Sequence, residues 1–436
     1  MIRRRTMLTG AMAATALTAC STPKVKIAGV QIPVLPPSNL LSVAADAPPV
    51  TVPPAASLSG WPQVLAGPAH APGNIAGPSA MTQNWRTGIG AAGGFRQPLA
   101  ASPLLAQGQV FTMDSSAAVS AFSAATGRQS WRTITRPKHM TVQNIGGGIG
   151  FDNGIIYAST GYSELLALDA GSGKILWRQK LDYPARSAPT IAGGVVAVVT
   201  QNDLLLTFDP TSGAPGWRFI GQVVDSPTSV AVSGAPAFAD GIIVAGFASG
   251  TLAALDINSG TPIWEESLAS SYGQASPLDF SDIVAPPVIS NGVVYAIGLG
   301  NSAIAIDLHS GAKIWTKDAT GTQPYCLAGD FAYLTDINQN LSAIHADDGL
   351  VSWMVQLPNW TNMKHHRGTA RSWNGPVMIN GHLLLTSNLG DVITVDPVTG
   401  GAGPMTKLAG PADMAPIVTS NAIYMLTRDA TLTAYA

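Results

Sequence analysis

Apolar and polar positions along this chain fall in short, strand-length runs broken by small polar turns, with none of the 3.6-residue spacing of an amphipathic helix. The stretch "LLALDAGSGKILWRQ" (165–179) reads as a strand, a tight turn and a second strand. It returns as "LAALDINSGTPIWEE" (252–266) and "AIAIDLHSGAKIWTK" (303–317). Upstream of each turn lies another strand pair, as in "GIIYASTGYSELLALD" and "GVVYAIGLGNSAIAID", where β-branched and apolar residues run up to a polar turn and back.

Aligned on the glycine of the turn, the repeats place Gly127, Gly173, Gly213, Gly260, Gly311, Gly349 and Gly400 at spacings of 46, 40, 47, 51, 38 and 51 residues. Strand-rich units of roughly 40–50 residues predict propeller blades, each a four-stranded antiparallel sheet. Four residues after the glycine stands Trp131, Trp177, Trp217, Trp264, Trp315 or Trp353, and only the last unit departs, with Pro404. The residue four before the glycine is Asp169, Asp209, Asp256, Asp307 or Asp396, replaced by Ser123 and His345 in two units.

These positions read as a structural joint. The Asp carboxylate accepts from backbone amides of the turn, the glycine supplies a positive φ, and the Trp wedges between neighbouring blades with its indole N–H partnered. Replacement of Asp by Ser or His suits a turn cap better than a catalytic acid. The final unit, "AIYMLTRDATLTAYA", ends at Ala436 without a turn or an outer strand, and "NWRTGIG" with Trp85 supplies the missing outer strand from the other end. The expected fold is all-β: an eight-bladed propeller over residues 81–436, its ring closed by an N-terminal strand so that no sheet edge stays open.

Composition agrees with a compact, turn-rich body: 11% charged against 46% hydrophobic residues, with 46 Gly and 32 Pro. A formal net charge of −2 gives no electrostatic basis for binding nucleic acid or an anionic membrane surface. The start is more telling. "MIRRR" is a cationic region, Thr6–Ala19 is apolar but too short to span a bilayer, and the run closes on "LTAC". This is similar to a bacterial lipobox, which implies removal of residues 1–19 as signal peptide and acylation of Cys20. A plain secretory signal with an incidental cysteine is the alternative. Ser21 rather than Asp after the cysteine implies sorting to the outer membrane. Residues 20–80, rich in Pro and Ala, read as a partly extended tether, with Trp61 able to dock back. Cys326, the other cysteine, sits in "PYCLAGDFAYL" and reads as a small core residue.

Other candidates carry little chemistry. "NIGGGIG" (144–150) precedes a strand rather than opening a helix, against a phosphate loop. His365 and His366, near Lys364, Arg367 and Arg371, lack further ligands at a metal spacing and read as a solvated or partner-binding basic loop. Glu265 and Glu266 face opposite ways on a strand, which disfavours a general acid/base pair.

The repeat "ALD-x-x-[ST]G-x-x-x-W" resembles the PQQ-type propeller superfamily. Within it lie the quinoprotein alcohol dehydrogenases and the BamB family of outer-membrane β-barrel assembly lipoproteins. The dehydrogenases use a vicinal Cys–Cys pair over the quinone and a Ca²⁺ site, and this chain has no adjacent cysteines. The lipobox, the Pro-rich tether and the eight compact blades together resemble the BamB family. That resemblance implies a non-enzymatic scaffold without cofactor or metal, on the periplasmic face of the outer membrane. Its implied partners are the POTRA domains of BamA and unfolded outer-membrane β-barrel precursors. The family's "SD-x-x-x-x-P" loop maps to Ser281, Asp282, Ile283 and Pro287, with Val284 where a second acidic residue is usual. A neighbouring loop maps to "SPTSVAVSGAP", with Val230 kept and Ala231 in place of an arginine. By this resemblance Ser281, Asp282, Ile283 and Val230 are partner-binding residues. Read from the residues alone, Asp282 is either a charged anchor or a cap on the following turn. A PQQ-dependent oxidoreductase and a cell-wall glycan-binding propeller are the alternative functions.

Overall fold

A computed structural model describes residues 39–221, 232–269, 280–365, 367–408 and 410–436. Among the described residues the strands fold up in chain order into eight antiparallel blades, with a two-stranded ribbon of Trp360–Asn362 and Arg367–Ala370 between blades 6 and 7. Blade 1 consists of Leu104–Ala106, Gln109–Met113, Val119–Ser123 and Gln129–Thr133, running from the innermost strand to the outermost. Blades 2 to 6 repeat this order, and blade 7 begins at Trp373–Ile379. Blade 8 takes Ile417–Val418, Ile423–Leu426 and Thr431–Tyr435 from the C-terminus, and its outer strand, Gln83–Gly88, from the other end of the repeat region. That strand pairs antiparallel with Thr431–Tyr435, so the ring closes as the sequence predicts.

Burial explains why apolar alternation is confined to part of each unit. Middle strands lie between two neighbouring blades and are buried on both faces, as in Ile242–Gly246 and Phe331–Thr335. Such strands read as continuous apolar runs. Outer strands have one face in water, and Ile175–Lys180 and Pro215–Ile220 alternate accordingly.

The repeated phrase is a joint between blades. In blade 2, Asp169 Oδ1 accepts from the Ser172 backbone N–H at 2.8 Å and from its hydroxyl, while Gly173 N–H donates to the Asp169 carbonyl at 2.8 Å. Asp209, Asp256 and Asp307 bind Ser212, Ser259 and Ser310 in the same way. The side-chain hydrogen bond from the serine leads in holding these exposed carboxylates below their ordinary range. Gly173 has φ +72°, and a Cβ there would lie 2.4 Å from the Trp131 ring of the preceding blade. The Trp131 indole N–H then donates to the Ala170 carbonyl of the same turn at 2.9 Å. Trp177, Trp217, Trp264, Trp315 and Trp353 bind the next blade's turn likewise, at 2.7–3.0 Å, and Trp85 joins blade 8 to blade 1 at 2.9 Å. One interface lacks the staple. Blade 7 carries Pro404 where the other blades carry Trp, so no indole reaches from it to blade 8.

The described part of the expected tether, residues 39–80, is fastened to the propeller rather than free. Asn39 N–H donates to Asp318 at 2.7 Å, Leu40 and Val43 bridge to Asp318 and Val351, and Val50 is buried beside Cys326 and Trp353. The chain then follows the inner rim. The Leu58 carbonyl accepts from Ser420 N–H (blade 8, 2.8 Å) and Trp61 pairs with Leu105 (blade 1). Pro62 accepts from Phe151 (blade 2, 2.8 Å), and Gln63 exchanges two hydrogen bonds with Ile191 (blade 3, 2.9 and 3.0 Å). Pro68 and Ala69 accept from Phe238 (blade 4, 2.7 Å) and Ile289 (blade 5, 2.9 Å), and Ile75–Ala76 adds in parallel to the inner strand of blade 7. The inner strand of a blade is a sheet edge with unpaired amides, and a proline-rich segment supplies carbonyls without needing donors of its own satisfied. That is why it binds without periodicity in its sequence.

Two predictions follow from this packing. Gly260→Ala should cost about 1–3 kcal/mol more than Gly292→Ala in urea unfolding. Both glycines have positive φ, but only a Cβ at Gly260 meets Trp217, at 2.5 Å, whereas Gly292 faces open space. Equal losses would show that the indole does not fill that space. The second concerns His70, which is buried on the inner rim and donates from Nδ1 to the Pro287 carbonyl at 2.7 Å. Burial lowers its pKa from 6.5 to about 4. Between those values the unfolded chain binds a proton that the folded chain excludes, so stability falls as pH drops through the window, on the order of 3 kcal/mol in all. His70→Gln should lack this slope in unfolding curves between pH 7 and 4.5.

A candidate partner-binding face

Strand direction sorts the loops onto two ends of the ring. The first hairpin of each blade and the Asp–Gly turn fall at one end, where residues 56–76 also bind. The second hairpin and the connections between blades fall at the other, and this end holds the loop predicted to meet a partner. It also carries exposed apolar side chains: Ile134, Val142, Tyr183, Ile220, Phe280 and Ile337. At the turn end, away from the outer strands, Val398 and Met405 are exposed, both in blade 7.

The loop 280–287 enters blade 5 and is tightly held. Ile283 N–H donates to the Phe247 carbonyl at 3.1 Å, and its side chain fills the space a Cβ on Gly246 would need, 2.4 Å away. Ile283 is only 1% exposed, so it is a wedge between blades 4 and 5 rather than a surface contact. Asp282 is 3% exposed and faces Arg186, which is 5% exposed at the entry to blade 3, with Nη1 and Oδ1 3.6 Å apart. Burial lowers the Arg186 guanidinium from its usual range, and the charges of Asp282 and Asp203 offset this. Asp203 in turn accepts from Ala248 and Ser249 N–H at 2.9 Å each, tying blade 3 to blade 4. Asp282 therefore neither projects as an anchor nor simply caps its own turn. It is the buried end of an ion pair that reaches past blade 4.

Of the other predicted positions, Ser281 is half-buried with its carbonyl against Gly250, and Phe280 beside it is 41% exposed. Val230, Cys20 and His366 lie outside the described residues. The structure thus brings Ser281, Asp282 and Ile283 together in one loop, with Asp282 and Ile283 turned inward. Arg186 was not singled out in the sequence, since "DYPARSAPT" shows only a lone basic residue in a loop. Cys326 is buried, and burial pushes its thiol up to about 12, which makes it inert.

An eight-bladed ring of this kind, with structural turns at one end and variable loops at the other, defines a PQQ-like propeller. A family model described as outer membrane protein assembly factor BamB matches residues 115–355, more than half of the chain. The chain belongs to that family, a family of assembly factors rather than enzymes. Assembly factor BamB of Yersinia pestis is 26% identical over 362 residues, covering 81% of this chain and 88% of its own. That of Escherichia coli K12 is 25% identical, covering 71% and 76%. The crystal structure of BamB from Moraxella catarrhalis superposes with TM-score 0.68 at 20% identity, covering 82% of this chain and 99% of that one. A quinohemoprotein alcohol dehydrogenase from Pseudomonas putida also reaches TM-score 0.68, at 12% identity, which shows the shared fold alone.

Cys326 has no cysteine neighbour, and among the described residues no group of three or more His, Cys, Asp or Glu could hold a metal ion. Also among the described residues, no helix is long and apolar enough to cross a membrane.

Asp282→Ala should destabilise the protein by about 3–5 kcal/mol, because it removes the buried carboxylate that faces the Arg186 guanidinium at 3.6 Å. The double variant Arg186→Met, Asp282→Leu should recover most of that loss in thermal unfolding. A single variant as stable as the natural chain would mean that the pair does not hold the loop.

Proposed function

We propose that this protein is a lipoprotein subunit of the outer-membrane β-barrel assembly machinery. It is anchored through Cys20 to the periplasmic face of the outer membrane and binds BamA through the POTRA domains. Residues 1–19 are removed as signal peptide, and residues 20–38 link the lipid to the folded body. The contact lies on the loop end of the ring around residues 280–287. Phe280 and Ser281 meet the partner there, while Asp282 and Ile283 fix the loop from behind. Val230 is the further partner-binding position that the family resemblance implies. The bound subunit aligns incoming β-barrel precursors and carries out no chemistry of its own.

Family membership carries this reading, and the asymmetry of the ring supports the choice of face. Rigid blades hold loops that differ from one to the next, as suits a broad protein contact. An apolar anchor beside a fixed polar loop is the usual core of such a contact.

The test is co-purification from detergent-solubilised envelopes, comparing the natural protein with Phe280→Glu and with Val398→Glu at the opposite end. BamA should accompany the natural protein and Val398→Glu and be depleted at least tenfold with Phe280→Glu. Equal recovery with all three would move the contact elsewhere, and absence of BamA from the natural eluate would end the assembly reading.

A further inference from the structure

The loop end also holds an open groove of about 900 Å³ over blades 6 and 7, lined by none of residues 280–287. Its described walls are the entry to blade 6 (322–323), the second hairpin of that blade (336–340), Gln356, parts of the connection to blade 7 (359–360 and 370–374) and Asn388 with Asp413 beyond. Eight of the seventeen lining residues are Asn or Gln. The charged side chains are engaged within the protein. Arg371 Nε donates to Asp391 at 2.8 Å, Asp413 pairs with Arg428, and Asp336 accepts the backbone and side-chain amides of Asn340 at 2.8 Å each. What faces the groove is therefore strongly hydrogen-bonding, with Asp336 the one carboxylate among the described residues of the wall that is held by amides rather than by a cation.

Several amides are held by one end and offer the other. Gln323 Oε1 accepts from Gly375 N–H at 3.1 Å, which directs its NH₂ outward, and Asn374 donates to the Ala412 carbonyl at 2.9 Å, which leaves its oxygen. Asn359 Oδ1 is buried and has no partner among the described residues. Beside it, Trp360 lines the rim half-buried. An unpaired buried acceptor is costly unless something donates to it.

We infer that this groove is a binding site for a neutral, N-acetylated oligosaccharide. Hydroxyl and acetamido groups both donate and accept, matching side-chain amides that do the same. The indole of Trp360 offers an apolar face to the C–H side of a sugar ring. Among the described residues of the wall, an anion finds no unpaired cation. An outer-membrane strand segment needs pockets for alternate apolar side chains, and besides the two tryptophans only Ile337 and Ala370 are apolar here. The volume lies within the usual range for ligand sites. This site is independent of the assembly reading, since BamA recovery and sugar binding are measured separately.

The experiment titrates the full chain with chitotetraose, followed by calorimetry and by tryptophan emission. Saturable binding is expected, weakened about tenfold or more in Trp360→Ala and in Asn359→Ala. Val398→Glu, at the opposite end of the ring, should bind as the natural protein does. Thermal unfolding checks that each variant is folded, and Gln323→Ala on the facing wall replaces any that is not. Failure of the natural protein to bind millimolar chitotetraose overturns the inference. So does binding that all the groove variants leave unchanged, or saturation of the groove by a peptide with alternating apolar residues but not by the sugar.

Discussion

Every stapled interface in the ring rests on an indole lying over a glycine. The Trp ring occupies the volume where a Cβ would be, 2.4–2.8 Å from it, and the indole N–H satisfies a carbonyl of the same turn. Neither half works alone. A side chain at the glycine would expel the ring, and a turn without positive φ would aim its carbonyl elsewhere. Because one blade supplies the Trp and the next supplies the turn, the contact is passed along the chain. The constraint also explains the two ends. Gln83–Gly88 must leave the start of the repeat region and join blade 8, because only there can Trp85 reach the turn of blade 1.

The interface between blades 7 and 8 shows what happens without the staple. Here the inner-rim segment takes over. Ile75 pairs with Ile379 of blade 7, Ser57 Oγ lies 2.9 Å from Ser420 Oγ of blade 8, and Gly77 is packed between Ile379 and the Thr419 carbonyl. On the loop side, Asn374 and Thr386 of blade 7 donate to Ala412 and Met414 at the entry to blade 8, at 2.9 and 3.0 Å. The same segment visits the inner strands of blades 1 to 5 in order, so one stretch of chain both repairs the weak joint and occupies the turn end of the rim. That end is committed to structure. The loop end is left to differ from blade to blade.

These facts also set what could be read from the sequence. The repeat was legible because the staple demands the same residue types at the same spacing in each unit, down to Pro404, where the demand lapses. The inner-rim segment was not, since each residue meets a different blade and carbonyls of any residue type can satisfy an inner edge. Trp61 was the visible sign, a large apolar residue in a segment otherwise short of them. The candidate site was half legible. The "SD" loop lies at the loop end of the ring, but burial is a property of the neighbours that surround a side chain. The neighbour that decides it, Arg186, lies 96 positions away on blade 3. The groove over blades 6 and 7 escaped notice for a similar reason: its amides come from five separate stretches of chain, each unremarkable alone.

The buried pair changes how the loop motif should be understood. A charge at 3% exposure that faces a guanidinium at 5% exposure cannot be presented to a partner without giving up that ion pair, at a cost of several kcal/mol. A contact that required it would be weak. A contact that uses the loop's outer side, with Phe280 and Ser281, loses nothing and gains a surface already fixed in place. The pair joins the entries of blades 3 and 5 across blade 4, so its geometry responds to how three blades sit together. Asp282 thus reports on the ring, and through the loop it carries, the ring's assembly is coupled to the surface it displays. On this argument Asp282 and Ile283 of the motif serve to anchor the loop, and the side chains it leaves exposed are those of its neighbours, Phe280 above all.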